Sequence, residues 1–134
     1  MFGHFHPIMG FEYYKNALIH ILSLCQNQKW EILYFCEAED TNDVQHIIRG
    51  LTEVFPLLTF EKASDQIADW EQMLLMSGCA HHIIANSTFS WFGAYFNTTD
   101  KDKIVCYPNK WFCGSRANIR VDDLFPPSWQ KIKC

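Results

Sequence analysis

Apolar residues recur at helical spacing from Phe11 to about Gln28: Tyr14, Ala17, Leu18, Ile21, Leu22 and Cys25 lie on one face. A nearly continuous apolar run follows, Ile32 to Cys36, the pattern of a strand covered on both sides. The polar cluster Asp40-Thr41-Asn42-Asp43 opens a short amphipathic helix carried by Val44, Ile47, Ile48 and Leu51, with a stop near Gly50. Pro56 breaks the chain, and Leu57 to Phe60 predicts a second strand. Ser64 and Asp65 are helix-start residues for Ile67, Trp70, Met73, Leu74 and Met76, ended by Gly78. His82 to Ala85 predicts a third buried strand, and Asn86-Ser87-Thr88 a turn with capping chemistry. Phe89 to Phe96 predicts a helix aromatic nearly all round, hence largely buried. Ile104 to Tyr107 predicts a fourth strand, closed by Pro108. The tail, with Trp111, Phe112, Pro126, Pro127 and Trp129, predicts a packed irregular segment with one short helix at most.

Strands separated by helix-length crossovers pair in parallel, in a sheet covered on both faces. The expected fold is therefore α/β, a three-layer Rossmann-like parallel sheet of about four strands. With 134 residues the chain supports one domain, 1–134. No apolar run approaches the length that spans a bilayer, and Met1 to Met9 lacks a cationic segment followed by an apolar stretch. On that reading no membrane is indicated and the expected location is cytoplasmic. A net charge of −4 without a basic stripe removes the main electrostatic term of phosphate-backbone binding, so nucleic acid is not an expected partner. The six cysteines are scattered, with no C-x-x-C pair, and are expected to be reduced and mostly buried.

In open parallel sheets ligands bind beyond the carboxyl ends of strands, where helices begin. The junction from His82-Ile83-Ile84-Ala85 through Asn86-Ser87-Thr88 into Phe89-Ser90-Trp91 is the candidate. Unpaired amides and the positive helix end there suit a phosphate, and Ser87, Thr88 and Ser90 offer hydroxyl donors. The plain alternative is that Asn86 or Ser87 merely caps the helix. No G-x-G-x-x-G and no P-loop pattern occurs. Cys79-Ala80-His81-His82 does not make a metal centre, because neighbours on a strand point oppositely and no second ligand cluster is suitably spaced. His4 and His6 read as solvated. Glu37, Glu39, Asp40 and Asp43 follow the first strand and read as a solvated loop, as do Asp69 and Glu71 on their helix. Asn86-Ser87-Thr88 and Asn97-Thr98-Thr99 match the glycosylation acceptor pattern by chance, and Asn97-Thr98-Thr99 reads as the more exposed of the two.

The stretch from Asp69 to Tyr95, DWEQMLLMSGCAHHIIANSTFSWFGAY, resembles the C-terminal motif of the α-1,2-fucosyltransferase family, glycosyltransferase family 11-like, D-x-x-x-M-x-L-M-S-x-C-x-H-x-I-I-A-N-S-T-F-S-W-W-G-A. Supporting matches are His6-Pro7 with Tyr13-Tyr14-Lys15 and Ala17, then Lys103-Ile104-Val105 with Pro108 and Lys110-Trp111-Phe112, and Asp123-Leu124-Phe125-Pro126 with Trp129. Gln72 stands where an acid is frequent and Phe92 where Trp is frequent. The resemblance implies the C-terminal half of a two-domain GT-B glycosyltransferase. It implies transfer of L-fucose from GDP-fucose to the 2-hydroxyl of a galactoside, with inversion and without a metal cofactor. It implies donor binding at Asn86, Ser87, Thr88, Phe89 and Ser90, and at Asp69 and Glu71. The family's H-x-R-R-G-D-Y-like motif, whose arginines engage the diphosphate, does not occur in these residues, so Arg49, Arg116 or Arg120 would have to substitute. Three expectations follow: a donor-binding half that is inactive or weak without a separate N-terminal half, a non-catalytic nucleotide- or partner-binding module, or an α/β domain with no ligand. The general base is not identified.

Overall fold

The computed structural model describes residues 9–25, 29–98, 101–111 and 120–134. The expectations at His4, His6-Pro7, Gln28, Phe112, Cys113 and Arg116 lie outside them. In chain order the elements are α1 (Phe11–Leu24), β1 (Glu31–Tyr34), α2 (Thr41–Val54), β2 (Thr59–Lys62), α3 (Asp69–Ser77), β3 (His82–Ile83), α4 (Thr88–Tyr95), β4 (Val105–Pro108) and β5 (Gln130–Ile132), with 3₁₀ turns at Ala38–Asp40 and Asp122–Leu124.

From α1 to β4 helices and strands alternate, and every pairing among the described residues is parallel, so the mixed α/β reading holds. The single sheet does not. β1 pairs with β2, and β3, β4 and β5 form a separate three-stranded sheet. β3 is two residues long and leaves too short an edge for a second ladder. The two sheets meet through side chains instead: the Trp30 ring, just before β1, stands edge-on to His81, just before β3, with centroids 5.0 Å apart. Nor is β1 covered on both faces, since none of its residues is buried. β2 starts at Thr59 rather than Leu57, because Pro56 and Leu57 form a turn closed by the Leu58 amide on the Phe55 carbonyl (3.1 Å), leaving Leu57 92% exposed.

The three-stranded sheet carries a core on each face. On one, α1 lays Tyr13, Ala17 and Ile21 against Cys106 and Ile132. On the other, Ile84 and Val105 meet Ala94 of α4 and the aromatic tail, Trp111, Phe125 and Trp129. Here the helix–sheet–helix layering expected from the sequence is realised locally.

Helix limits also shift. Gly50 does not stop α2, which runs to Val54. Its missing Cβ makes room for Phe11, whose ring edge would lie 3.0 Å from an added carbon. Ser64 and Asp65 do not start α3. The Ser64 hydroxyl accepts from the Gln66 amide (3.1 Å) and Asp65 pairs with Lys62 (2.6 Å), a local turn that delays the helix to Asp69. α4 is not largely buried. Ser90, Gly93 and Ala94 face inward, where a Cβ on Gly93 would sit 2.9 Å from Met76 Cγ of α3, but Phe92, Tyr95 and Phe96 face out. Among the described residues no helix is long and apolar enough to cross a membrane.

Candidate functional site

The ladder between β3 and β4 sets up the junction. The Ile84 amide donates to the Cys106 carbonyl (2.9 Å), and two residues later the chain has left the sheet. Ser87 is the N-cap of α4, in extended conformation at φ −132°, ψ 142°. Its hydroxyl accepts from the Ser90 amide (3.1 Å), as a capping serine should. The Ser90 hydroxyl lies 3.1 Å from the Ala85 carbonyl, 3.1 Å from the Ser87 carbonyl and 2.7 Å from the Ser87 hydroxyl. With one proton on each oxygen, Ser90 donates to a carbonyl and Ser87 donates to Ser90. Both hydroxyls therefore face inward and hold the turn, which is the capping alternative realised in detail.

What the two serines leave uncapped is the first turn's opening amides. Thr88 is exposed and Phe89 half-buried, and among the described residues no acceptor is bonded to either amide. Asn86 ties the turn to the next crossover, its Nδ2 donating to the Trp111 carbonyl (3.4 Å). Replacing Ser87 by alanine removes the cap and the partner of Ser90. The expected cost is about 1 kcal/mol in urea unfolding, and an unchanged midpoint would contradict the capping role.

Asp69 and Glu71 lie in the exposed first turn of α3. The Glu71 carboxylate accepts from the Ala68 amide (3.3 Å), closing its own helix start. α3 and α4 pack together, yet no hydrogen bond or ion pair among the described residues joins these acids to Asn86–Ser90. Glu37, Glu39, Asp40 and Asp43 are exposed beyond β1. Arg49 sits within α2 and Arg120 precedes the last 3₁₀ turn. Lys110 is a cation that the sequence pattern does not single out for the site. It is exposed just past β4, one residue before the carbonyl that Asn86 binds.

The two histidines before and in β3 have separate duties. His81 Nδ1 accepts from the Ile104 amide (3.0 Å), and its Nε2 lies 3.5 Å from Cys25 Sγ. His82 is 4% exposed, and its Nε2 is 3.0 Å from Asn97 Nδ2, which also donates to the Cys79 carbonyl (2.8 Å). Asn97 is itself buried, at 3% exposure, which corrects the expectation of an exposed acceptor sequence. Lys103 Nζ donates to the carbonyls of Ala94 (2.8 Å) and Asn97 (2.6 Å), placing a cation at the negative end of α4. Among the described residues no three ligating side chains converge on one point. Cys25, Cys36, Cys79, Cys106 and Cys134 are free thiols, but only Cys106 is buried, fewer than expected.

Comparison with known proteins gives the family. The protein named "O-antigen biosynthesis glycosyltransferase WbnK" of Escherichia coli is 32% identical over 119 residues, 88% of this chain and 36% of that protein. The protein named "Alpha-1,2-colitosyltransferase", also of Escherichia coli, is 41% identical over 128 residues, 96% of this chain and 41% of that protein. The chain thus spans about two fifths of the length of these relatives. No solved structure matches it at a significant level. The sequence profile described as "Glycosyl transferase family 11" matches residues 38–133, and the chain belongs to that glycosyltransferase family.

Proposed function

We propose that these residues form the donor-binding part of an α-1,2-glycosyltransferase that moves L-fucose from GDP-fucose to the 2-hydroxyl of a galactoside, with inversion. The observation that carries this reading is the β3–α4 junction, where a serine cap holds the turn and, among the described residues, no acceptor is bonded to the Thr88 and Phe89 amides. Family membership makes a nucleotide-sugar the expected class of donor. An inverting transfer passes through an oxocarbenium-like state, and charge gathers on the departing diphosphate. Fixed amide donors at a helix start stabilise that charge without having to reorganise. Lys110 adds a cation on the same edge. Ser87 and Ser90 hold the turn rather than touch the phosphate, so of the hydroxyls only Thr88 is available to it. Asp69 and Glu71 serve the site at most from its rim, beside the nucleoside end of the donor.

The acceptor hydroxyl must lose a proton to a general base. Among the described residues none is assigned that role. We place the base, and the cations that complete the diphosphate site, in a separate half outside these residues. The 134 residues act as one nucleotide-binding unit in the cytoplasm, with the galactoside held against the partner half.

Calorimetry with GDP tests the binding step. A saturable heat, much weaker with GMP, is the expected result, because the second phosphate adds negative charge and further acceptor oxygens for the helix-start amides. No heat at millimolar GDP contradicts the reading. With GDP-fucose and a galactoside, the 134-residue chain alone is expected to transfer no detectable fucose. Turnover at ordinary enzyme rates, about 1 per second or faster, would contradict the need for a second half.

A further inference from the structure

We propose that Tyr13 is the positioning residue of the Asn86–Ser90 turn, its hydroxyl supplying to the Ile84 carbonyl the hydrogen bond that Pro108 withholds. The register of the parallel ladder makes the gap visible. His82 lies opposite Val105 and Ile83 opposite Cys106, and the Ile84 amide donates to the Cys106 carbonyl (2.9 Å). In such a ladder the next bond runs from the amide of residue 108 back to the Ile84 carbonyl. Residue 108 is proline and has no N–H. Ile84 is 1% exposed, so bulk water does not reach its carbonyl. A carbonyl left unpaired at that depth would be costly.

Tyr13 fills the gap from α1. Its side chain is 1% exposed, and its hydroxyl donates to the Ile84 carbonyl while standing 3.2 Å from the Cys106 carbonyl. Burial keeps the hydroxyl protonated well beyond the ordinary tyrosine range, so it stays a donor. Ile84 is the last residue held by the sheet before the turn. The next carbonyl, that of Ala85, receives the Ser90 hydroxyl (3.1 Å). Tyr13 therefore fixes the point from which the capped turn springs, although it lies more than seventy residues away in sequence. The positional part of this inference stands on the ladder alone, and its consequence for ligand affinity rests on the proposed nucleotide site.

The test is Tyr13→Phe, alone and combined with Pro108→Ala, which restores an N–H at residue 108. Amide hydrogen exchange is followed at Ser90 and Trp91, which bond to Ser87, and at Phe55, which ends α2. In Tyr13→Phe, exchange at Ser90 and Trp91 is expected to quicken about tenfold or more relative to Phe55. In the double variant it returns most of the way. The dissociation constant for GDP follows the same order. Equal acceleration at all three amides, no acceleration, or a double variant no better than the single one would overturn the proposal. Should Tyr13→Phe fail to fold, folding of the double variant supports the proposal and its failure to fold overturns it. If the unsubstituted chain does not bind GDP, the nucleotide reading fails while the exchange rates still decide the role of Tyr13.

Discussion

Lowering the pH from 7 to 4 is expected to remove about 3 kcal/mol of folding stability through His82 alone. Burial is the main cause of its low basicity, followed by the nearby Lys103 and then His81, and together they push its pKa down to about 4. Asn97 Nδ2 points a donor at His82 Nε2, so that nitrogen must be unprotonated in the folded chain. In the unfolded chain the same imidazole takes a proton near pH 6.5. Between these two values the unfolded state binds more protons, so stability rises with pH across that window. The contribution is fully present above about pH 6.5, declines as the pH falls, and is gone below about 4. His82→Gln keeps an acceptor toward Asn97 and cannot titrate. Urea midpoints measured from pH 7 to pH 4 should therefore fall more steeply for the unsubstituted chain than for His82→Gln. Parallel curves would show that His82 is not what makes the fold acid-labile.

Much of this architecture was legible in the sequence because short polar clusters and proline punctuate apolar runs. The capping chemistry at Asn86-Ser87-Thr88 marked the start of α4 to within one residue. Pro108 marked the end of β4. What the pattern could not carry was the partner of each segment. Period-2 and period-3.6 spacing report which face is apolar, not which neighbour covers it, so five short strands resembled one sheet of four. β5 escaped notice because Gln130-Lys131-Ile132 buries only its last residue. The aromatic residues of α4 were assigned to the interior on composition, yet Phe92 and Phe96 stack on each other at the surface, with centroids 5.6 Å apart. Asn97-Thr98-Thr99 read as exposed, and the contact of Asn97 with the buried His82 explains why Asn97 is not.

Of the candidate site, the sequence carried the capped helix start after a buried strand, and a long motif resemblance indicated the glycosyltransferase family. The division of labour within the turn was not visible. A serine hydroxyl has one proton, and three-dimensional proximity decides whether it goes to a ligand or to a neighbour. Here Ser87 and Ser90 spend theirs on the turn, and in the proposed reading it is the backbone that meets the anion. Tyr13 was hidden for a related reason: helical spacing put Tyr14 on the buried face, and the need for a donor at Ile84 arises only once β3 and β4 are in register with Pro108.

The backbone amide of Thr88 is accordingly the group whose loss should matter most for binding, and proline removes it with little else disturbed. Thr88 is the first residue of α4, where proline is favoured and the N–H is not needed by the helix. Ser87 already has the extended backbone that a residue before proline requires. The Ser87–Ser90 cap does not involve the Thr88 amide. Thr88→Ala is the matched control, losing the hydroxyl but keeping the amide. The most direct measurement is the dissociation constant for GDP of Thr88→Pro beside Thr88→Ala, with both melting temperatures recorded. Thr88→Pro is expected to melt no lower than the unsubstituted chain and to bind GDP about tenfold or more weakly, the worth of one charge-assisted bond, while Thr88→Ala binds within a few-fold of it. A Thr88→Pro chain that is folded and binds GDP as tightly as the unsubstituted one would contradict a phosphate site at this helix start.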